Sequence, residues 1–205
     1  MIALVALLSL AQQAVSFPAQ DGAPVSALGY GKGDRAVVLA HGGRFNKESW
    51  APQATVLAAA GFRALSIDFR DQGGKGHWDV LAAVHYLRNT GAKSVYVGGA
   101  SMGGDYAAEA AEAEPAAIDR LVLLASGAYT PLKHMTGPKL FILARDDANG
   151  DGPRLPRIRA QFALAHKPKK LIVLDGAAHA QFLFQTNQSK RLLREILRFL
   201  SSPPT

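Results

Sequence analysis

Residues 95–106 read VYVGGASMGGDY and join an apolar, β-branched run to an alanine-rich segment. β-Branched and aromatic residues favour strands, whereas alanine is the strongest helix former. Ser101 lies between the two, in a G-x-S-x-G pattern formed with Gly99 and Gly103. Glycine permits the close backbone approach that a sharp strand-to-helix turn requires. The stretch therefore predicts a strand, a tight turn that exposes the Ser101 hydroxyl, and a helix.

The rest of the chain alternates apolar runs of strand length with helical patterns. Strands are predicted at 15–18, 25–30, 36–40, 63–67, 93–97, 121–124, 139–143 and 170–174, and helices at 48–60, 79–88, 102–113, 155–165 and 189–200. The first two strands, joined through Asp21-Gly22, predict a hairpin, and Asp79 is the expected N-cap of its helix. Apolar strands separated by helices indicate an α/β fold with a mostly parallel sheet of about eight strands, covered on both faces.

The length of 205 residues, with 48% hydrophobic residues, suits one compact domain, predicted at 15–205. Residues 1–14 are apolar but fall short of the roughly 20 residues that cross a bilayer, so no membrane span is expected. They are interpreted as a signal peptide cleaved near Ala11 or Ala14, although no Lys or Arg precedes Lys32. The alternatives are a first strand or a start codon assigned too early. The signal would make the protein secreted or periplasmic, and otherwise it would be cytoplasmic.

Charge and metal-ligand content limit the possible partners. The chain has 23 Lys and Arg against 16 Asp and Glu, a net charge of +7, and no cysteine. Basic residues concentrate toward the C-terminus but are dispersed, which favours a solvated basic face over nucleic-acid binding; they are Arg154, Arg157, Arg159, Lys167, Lys169, Lys170, Lys190, Arg191, Arg194 and Arg198. The lack of cysteine excludes disulfides and thiolate metal sites, and the histidine spacing predicts no metal site.

Candidate partners for Ser101 follow two later strands. A serine nucleophile needs a base to take its proton and an acid to orient that base. Asp146 and Asp147 follow the strand predicted at 139–143, and His179 follows the strand predicted at 170–174. Because the carboxyl ends of parallel strands meet at one edge of the sheet, these side chains are expected to converge there. The order Ser, Asp, His is the one used on such a sheet.

With these residues, the chain resembles the α/β-hydrolase family over nearly its full length after the N-terminal segment. The matching pieces are VVLAHGG at 37–43, GFRALSIDFR at 61–70, the Ser101 turn, the aspartate pair and the turn at 176–179. The resemblance implies that Ser101 is the nucleophile and His179 the general base. It also implies that Asp147 is the acid, as the fourth residue of a G-x-x-D turn. Alanine replaces the usual glycine at 144, which leaves Asp146 as an alternative.

The same resemblance implies an oxyanion hole, in which backbone N–H groups stabilise the charge that develops on the attacked carbonyl. One donor is expected to be the N–H of Met102 and the other that of Gly43, with Arg44 as the alternative. His41 is expected to bond the backbone of its own loop.

The short stretch at 125–138 leaves no room for a cap domain, and an open site favours small or short-chain esters. The expected function is therefore hydrolysis of a small carboxylic ester through an acyl-enzyme on Ser101, with no cofactor. Acyl transfer and peptide cleavage use the same residues and stay open as alternatives. A binding protein that kept the fold without catalysis is the third possibility. The oligomeric state is left open.

Overall fold

The computed structural model describes residues 12–70, 74–127 and 129–203. Its strands are β1 Gln13–Pro18, β2 Pro24–Tyr30, β3 Arg35–Ala40, β4 Arg63–Ile67, β5 Ser94–Ala100, β6 Arg120–Leu124, β7 Lys139–Ala144, the short β8 Ala148–Asn149 and β9 Gly152–Pro153, and β10 Lys169–Leu174. The α-helices are α1 Ala51–Ala59, α2 Gly76–Asn89, α3 Met102–Ala113, α4 Arg154–Leu164 and α5 Ser189–Ser201, and 3-10 helices lie at Lys47–Trp50 and Ala180–Gln185.

The predicted N-terminal segment falls mostly outside this description. Residues 1–11 lie outside the described residues, whereas Gln13 and Ala14, at the end of that segment, begin β1. Among the described residues, no helix combines the length and the apolar character needed to cross a bilayer.

One sheet of eight strands organises the fold, in the order β1-β2-β4-β3-β5-β6-β7-β10. The first two strands form the expected antiparallel hairpin, and β2 also runs antiparallel to β4. All other neighbouring pairs are parallel. The prediction of a mostly parallel α/β sheet of about eight strands is confirmed. Because the central strands share one direction, the loops that follow β3, β5, β7 and β10 lie at the same edge.

Helix α2 begins earlier than expected, and Asp79 is not its N-cap. The helix starts at Gly76, where an added Cβ would lie 2.2 Å from Cδ2 of Tyr106 on α3. Asp79 is buried and accepts hydrogen bonds from the backbone N–H of Arg70 at 3.1 Å and from its Nε at 2.6 Å. Burial raises the pKa of Asp79. The carboxylate therefore ties the loop after β4 to α2 instead of capping the helix.

The connection from β6 to β7 contains no helix in its described part, residues 125–127 and 129–138. Its side chains Leu132 and Met135 are fully buried and hold it against the domain. The described part of this connection therefore forms no cap over the carboxyl edge, in agreement with the prediction.

Candidate active site

Ser101 occupies the turn between β5 and α3 in a conformation that non-glycine residues seldom adopt. Its φ is 49° and its ψ is −119°, a strain that costs about 1–3 kcal/mol. The flanking glycines explain how the turn fits. A Cβ on Gly99 would lie 2.3 Å from the carbonyl oxygen of Gly103, and one on Gly103 would lie 2.4 Å from that of Ala40. No side chain fits at either position without backbone movement. This close packing explains why the sequence has glycine on both sides of Ser101.

His179 and Asp147 come from the two loops predicted to meet Ser101. His179 Nε2 lies 2.8 Å from Ser101 Oγ, and His179 Nδ1 lies 2.8 Å from Oδ2 of Asp147. An ionised carboxylate only accepts hydrogen bonds, so Nδ1 donates to it and Nε2 is left to accept the Ser101 hydroxyl. Asp147 is 1% exposed, whereas its neighbour Asp146 points to solvent. The structure thus brings together Ser101, His179 and Asp147, and it leaves Asp146 outside the constellation.

Arg154, which the sequence analysis grouped with the solvated basic residues, instead lies against Asp147. Its Nε is 3.3 Å from Oδ1 of Asp147, in an ion pair that is not a hydrogen bond. Its backbone N–H donates to the Asp147 carbonyl at 2.9 Å. The β8–β9 hairpin turns the chain back so that α4 begins beside the acid. This reversal, rather than any local motif, brings the guanidinium to the site.

The predicted oxyanion donors lie on two neighbouring backbone turns. The N–H of Phe45 donates to the Gly42 carbonyl at 2.9 Å and closes a turn with Gly43 and Arg44 at its centre. A Cβ on Gly43 would lie 3.7 Å from Sδ of Met102, which shows how close the two segments are. Within the described chain, neither the Gly43 nor the Met102 N–H has a hydrogen-bond acceptor. Both donors are therefore available at the mouth of the Ser101 turn.

Gln181 holds the Gly42 turn in place, a role that no sequence motif signalled. Its side chain is buried, and its Oε1 accepts the Gly42 N–H at 2.8 Å while its Nε2 donates to Ser49 Oγ at 2.8 Å. His41 Nδ1 donates to the Gly42 carbonyl at 2.9 Å, as expected. Both polar groups of Gly42 are thus engaged, which orients the next N–H, that of Gly43.

A second anchor fixes the other end of the same loop. Asp68, at the end of β4, accepts the backbone N–H of Lys47 at 2.8 Å and also binds its Nζ. The hydrogen bond to Asp68 raises the pKa of Lys47. The loop between β3 and the first 3-10 helix is therefore tied down on both sides of Gly43.

These groups open into one cavity of about 470 Å³. Ser101 and His179 line it together with Gly43, Met102, Arg44 and Arg154, and an apolar wall is formed by Phe45 and Phe182, whose ring centroids are 4.9 Å apart. A larger cavity of about 580 Å³ lies at the opposite edge of the sheet, around Tyr96 and Arg120, away from the serine. No cluster of three or more metal-ligating side chains occurs in the part of the chain that the structure describes.

The sequence and the fold of this chain are similar to those of known proteins. Residues 35–205 match the family described as alpha/beta hydrolase fold. A search of curated proteins gives no significant match. Among solved structures, an esterase from Pyrococcus furiosus superposes with a TM-score of 0.79 at 17% identity, over 98% of this chain and 94% of that one. A dienelactone hydrolase from Anabaena variabilis ATCC 29413 gives a TM-score of 0.76 at 21% identity, over 93% and 95% of the two chains.

A third similar structure, an esterase from Exiguobacterium antarcticum, gives a TM-score of 0.76 at 14% identity and covers 93% of this chain and 100% of that one. At such identities the superpositions describe the fold alone. The superpositions cover at least 93% of this chain and at least 94% of each of the others. This chain therefore has no large insertion relative to these structures.

Proposed function

Since this chain belongs to the alpha/beta hydrolase family, we propose that it hydrolyses carboxylic esters with Ser101 as the nucleophile. The observation that carries the proposal is the continuous chain of hydrogen bonds from Ser101 Oγ through His179 to Asp147, each 2.8 Å long. It begins at a strained serine whose hydroxyl faces an open cavity. A base within hydrogen-bond reach of the nucleophile, itself oriented by a buried acid, is the arrangement that activates a serine.

In the proposed reaction, Ser101 Oγ attacks the ester carbonyl carbon while His179 Nε2 takes the hydroxyl proton. The N–H groups of Gly43 and Met102 stabilise the negative charge on the carbonyl oxygen. The tetrahedral intermediate collapses, the bond to the alcohol oxygen breaks, and His179 gives its proton to the leaving alkoxide. Water, deprotonated by His179, then attacks the acyl-enzyme, and the acid leaves as Ser101 regains its proton. Asp147 stabilises the charged imidazole in both steps.

The shape of the site favours small esters. The described residues form no cap over the cavity, and its volume of about 470 Å³ lies at the low end of the range for small-molecule sites. The large apolar side chains in the lining are Met102 and the pair Phe45 and Phe182, and Phe182 is 37% exposed. A long acyl chain would therefore extend into water, where it gains little binding energy. The proteins of similar fold include two described as esterases, which supports the ester class.

The test is hydrolysis of p-nitrophenyl esters, from acetate to decanoate, by the wild-type protein and by Ser101→Ala. We expect activity with the short acyl chains, and a loss of about 10⁴-fold or more in kcat for the variant, because the nucleophile is gone. Circular dichroism spectra and thermal melts would establish that both proteins are folded. Equal activity of the two proteins, or none from a folded wild type on any ester, would refute the proposal.

A further inference from the structure

We propose that the site selects esters that carry a carboxylate elsewhere in the molecule, bound by Arg44 and Arg154. The inference rests on the proposed function, because it assigns the substrate class of the same cavity. It comes from the charge of the cavity lining. The lining contains the two cationic residues Arg44 and Arg154, and no aspartate or glutamate lines the cavity among the described residues.

The side chain of Arg154 is held by an ion pair, and its N–H groups remain available for hydrogen bonds to a ligand. Its side chain is 15% exposed, and its Nε faces Oδ1 of Asp147. That carboxylate also accepts the hydrogen bond from His179 through its other oxygen. A guanidinium carries five N–H donors in a planar fork, and Arg154 makes no side-chain hydrogen bond within the described structure. The buried carboxylate of Asp147 therefore balances the charge of Arg154. The N–H donors of the Arg154 guanidinium remain free to bind a ligand.

Arg44 supplies the uncompensated charge. It is exposed at the centre of the turn that carries Gly43, and no ion pair or hydrogen bond of its side chain occurs among the described residues. By contrast, the next cation along the loop, Lys47, is paired with both Glu48 and Asp68. With Asp147 counted against Arg154, Arg44 leaves the residues that line the cavity with a net positive charge, which attracts anions.

The apolar part of the lining indicates what separates the ester from the carboxylate in the ligand. Phe45 and Phe182 form the apolar wall of the same cavity that holds Ser101 and both arginines. A ligand that fits places its ester at Ser101, a short hydrocarbon or aromatic spacer against the phenylalanines, and a carboxylate at the guanidinium groups. Arginine is suited to this task because its planar fork binds both oxygens of a carboxylate.

The experiment compares kcat/KM for matched anionic and neutral esters, followed by proton release or chromatography. Monomethyl adipate and methyl heptanoate place the charge in the acyl part; 4-acetoxybenzoate and methyl 4-acetoxybenzoate place it in the alcohol part. We expect the anionic ester of at least one pair to be preferred by about tenfold, as for one retained charge-assisted contact. The arm that shows the preference identifies the side on which the carboxylate binds. About 1 M salt, which shortens the screening length to about 3 Å, should reduce the preference.

Two variants make the test specific. Arg44→Gln should lower the anionic-to-neutral ratio about tenfold, because it removes the unpaired charge. Arg159→Gln makes the same chemical change at an exposed position of α4 outside the cavity lining, and it should keep the wild-type ratio. A wild-type ratio near one in both pairs, or an Arg44→Gln ratio equal to that of wild type, would overturn the inference. If neutral esters are still hydrolysed in a Ser101-dependent way, the proposed function survives that result. If no ester is hydrolysed, both fail.

Discussion

Strand β7 has a buried charge at each end, and the surroundings of the two charges differ. Lys139 begins the strand and is fully buried, and Asp147 follows its last residue, Ala144, in a buried loop position. Lys139 Nζ donates to the backbone carbonyls of Met135 at 2.6 Å and of Gly137 at 2.5 Å. Asp147 instead faces two ionisable side chains, His179 and Arg154.

Under the proposed function, this difference separates a structural charge, Lys139, from a charge that takes part in the reaction, Asp147. Backbone carbonyls cannot change protonation state, so they only hold Lys139 and, through it, the loop before β7. In the proposed reaction His179 takes and returns a proton, so its hydrogen bond to Asp147 places a carboxylate beside the group that carries the charge. We therefore expect changes at the carboxyl end of β7 to alter activity, and changes at its amino end to alter stability.

The largest effect is expected at the carboxyl end. Asp147→Asn should lower kcat by about 10⁴-fold, because an amide does not hold His179 in the required tautomer or stabilise its charged form. Asp146→Asn is the matched control one residue away and should stay close to wild type, since that side chain points to solvent. Steady-state kinetics on a p-nitrophenyl ester measures both. If Asp146→Asn lost more activity than Asp147→Asn, the acid would be Asp146 and the assignment of Asp147 would be wrong.

A smaller effect is expected from the residue that positions the Gly42 turn. Gln181→Met removes both hydrogen bonds of the amide and should lower kcat by about tenfold to a hundredfold, with less change in KM, because the Gly43 N–H loses its orientation. Gln181→Glu keeps an acceptor for the Gly42 N–H and should retain more activity. If Gln181→Met has a reduced melting temperature but a wild-type kcat, its role is structural only.

The smallest effect on activity is expected at the amino end. Lys139→Met should leave kcat/KM within about twofold of wild type and change the pH dependence of stability instead. Burial lowers the pKa of Lys139 to about 8, with Glu112 raising the pKa and Lys169 lowering it further. Between about pH 8 and 10.5 the unfolded chain thus binds more protons than the native one, so the Lys139 contribution to stability rises with pH.

Urea unfolding at several pH values would measure that contribution. The free energy of unfolding of wild type, relative to Lys139→Met, should increase by up to about 3 kcal/mol from pH 7 to pH 10.5. A difference that stays constant over this range would show that the Lys139 pKa is the same in both states.

Local patterns were sufficient for the eight strands of the main sheet, the five α-helices and the serine turn, but not for the β8–β9 hairpin or the 3-10 helix at Ala180–Gln185. The predicted strand at 63–67 and helix at 102–113 have the same bounds in the structure, because a short apolar run and an alanine-rich segment each favour one conformation. The convergence of Ser101, His179 and the aspartate pair followed from the shared direction of β5, β7 and β10. The resemblance favoured Asp147 as the acid and left Asp146 as the alternative. The structure shows that Asp147 is the buried member of the pair and the one beside His179.

Contacts between distant loops could not be predicted in this way. Gln181 and Gly42 are 139 positions apart, and their hydrogen bond depends on how the His179 loop packs over the turn after β3. Arg154 reaches Asp147 only because a two-strand hairpin reverses the chain between them. In α2, the long-range contact of Asp79 with Arg70 replaced the capping role that its local sequence indicated.

The proposed function requires that Ser101 be activated by its contacts with His179 and Asp147. Labelling the folded protein with a fluorophosphonate, followed by mass spectrometry of its peptides, tests this most directly, because the reagent reacts with a serine that a neighbouring base activates. We predict one adduct, on Ser101, which is absent from Ser101→Ala and forms far more slowly in Asp147→Asn than in Asp146→Asn. A folded wild-type protein that stays unlabelled at Ser101, or a Ser101→Ala variant that labels equally, would contradict the claim.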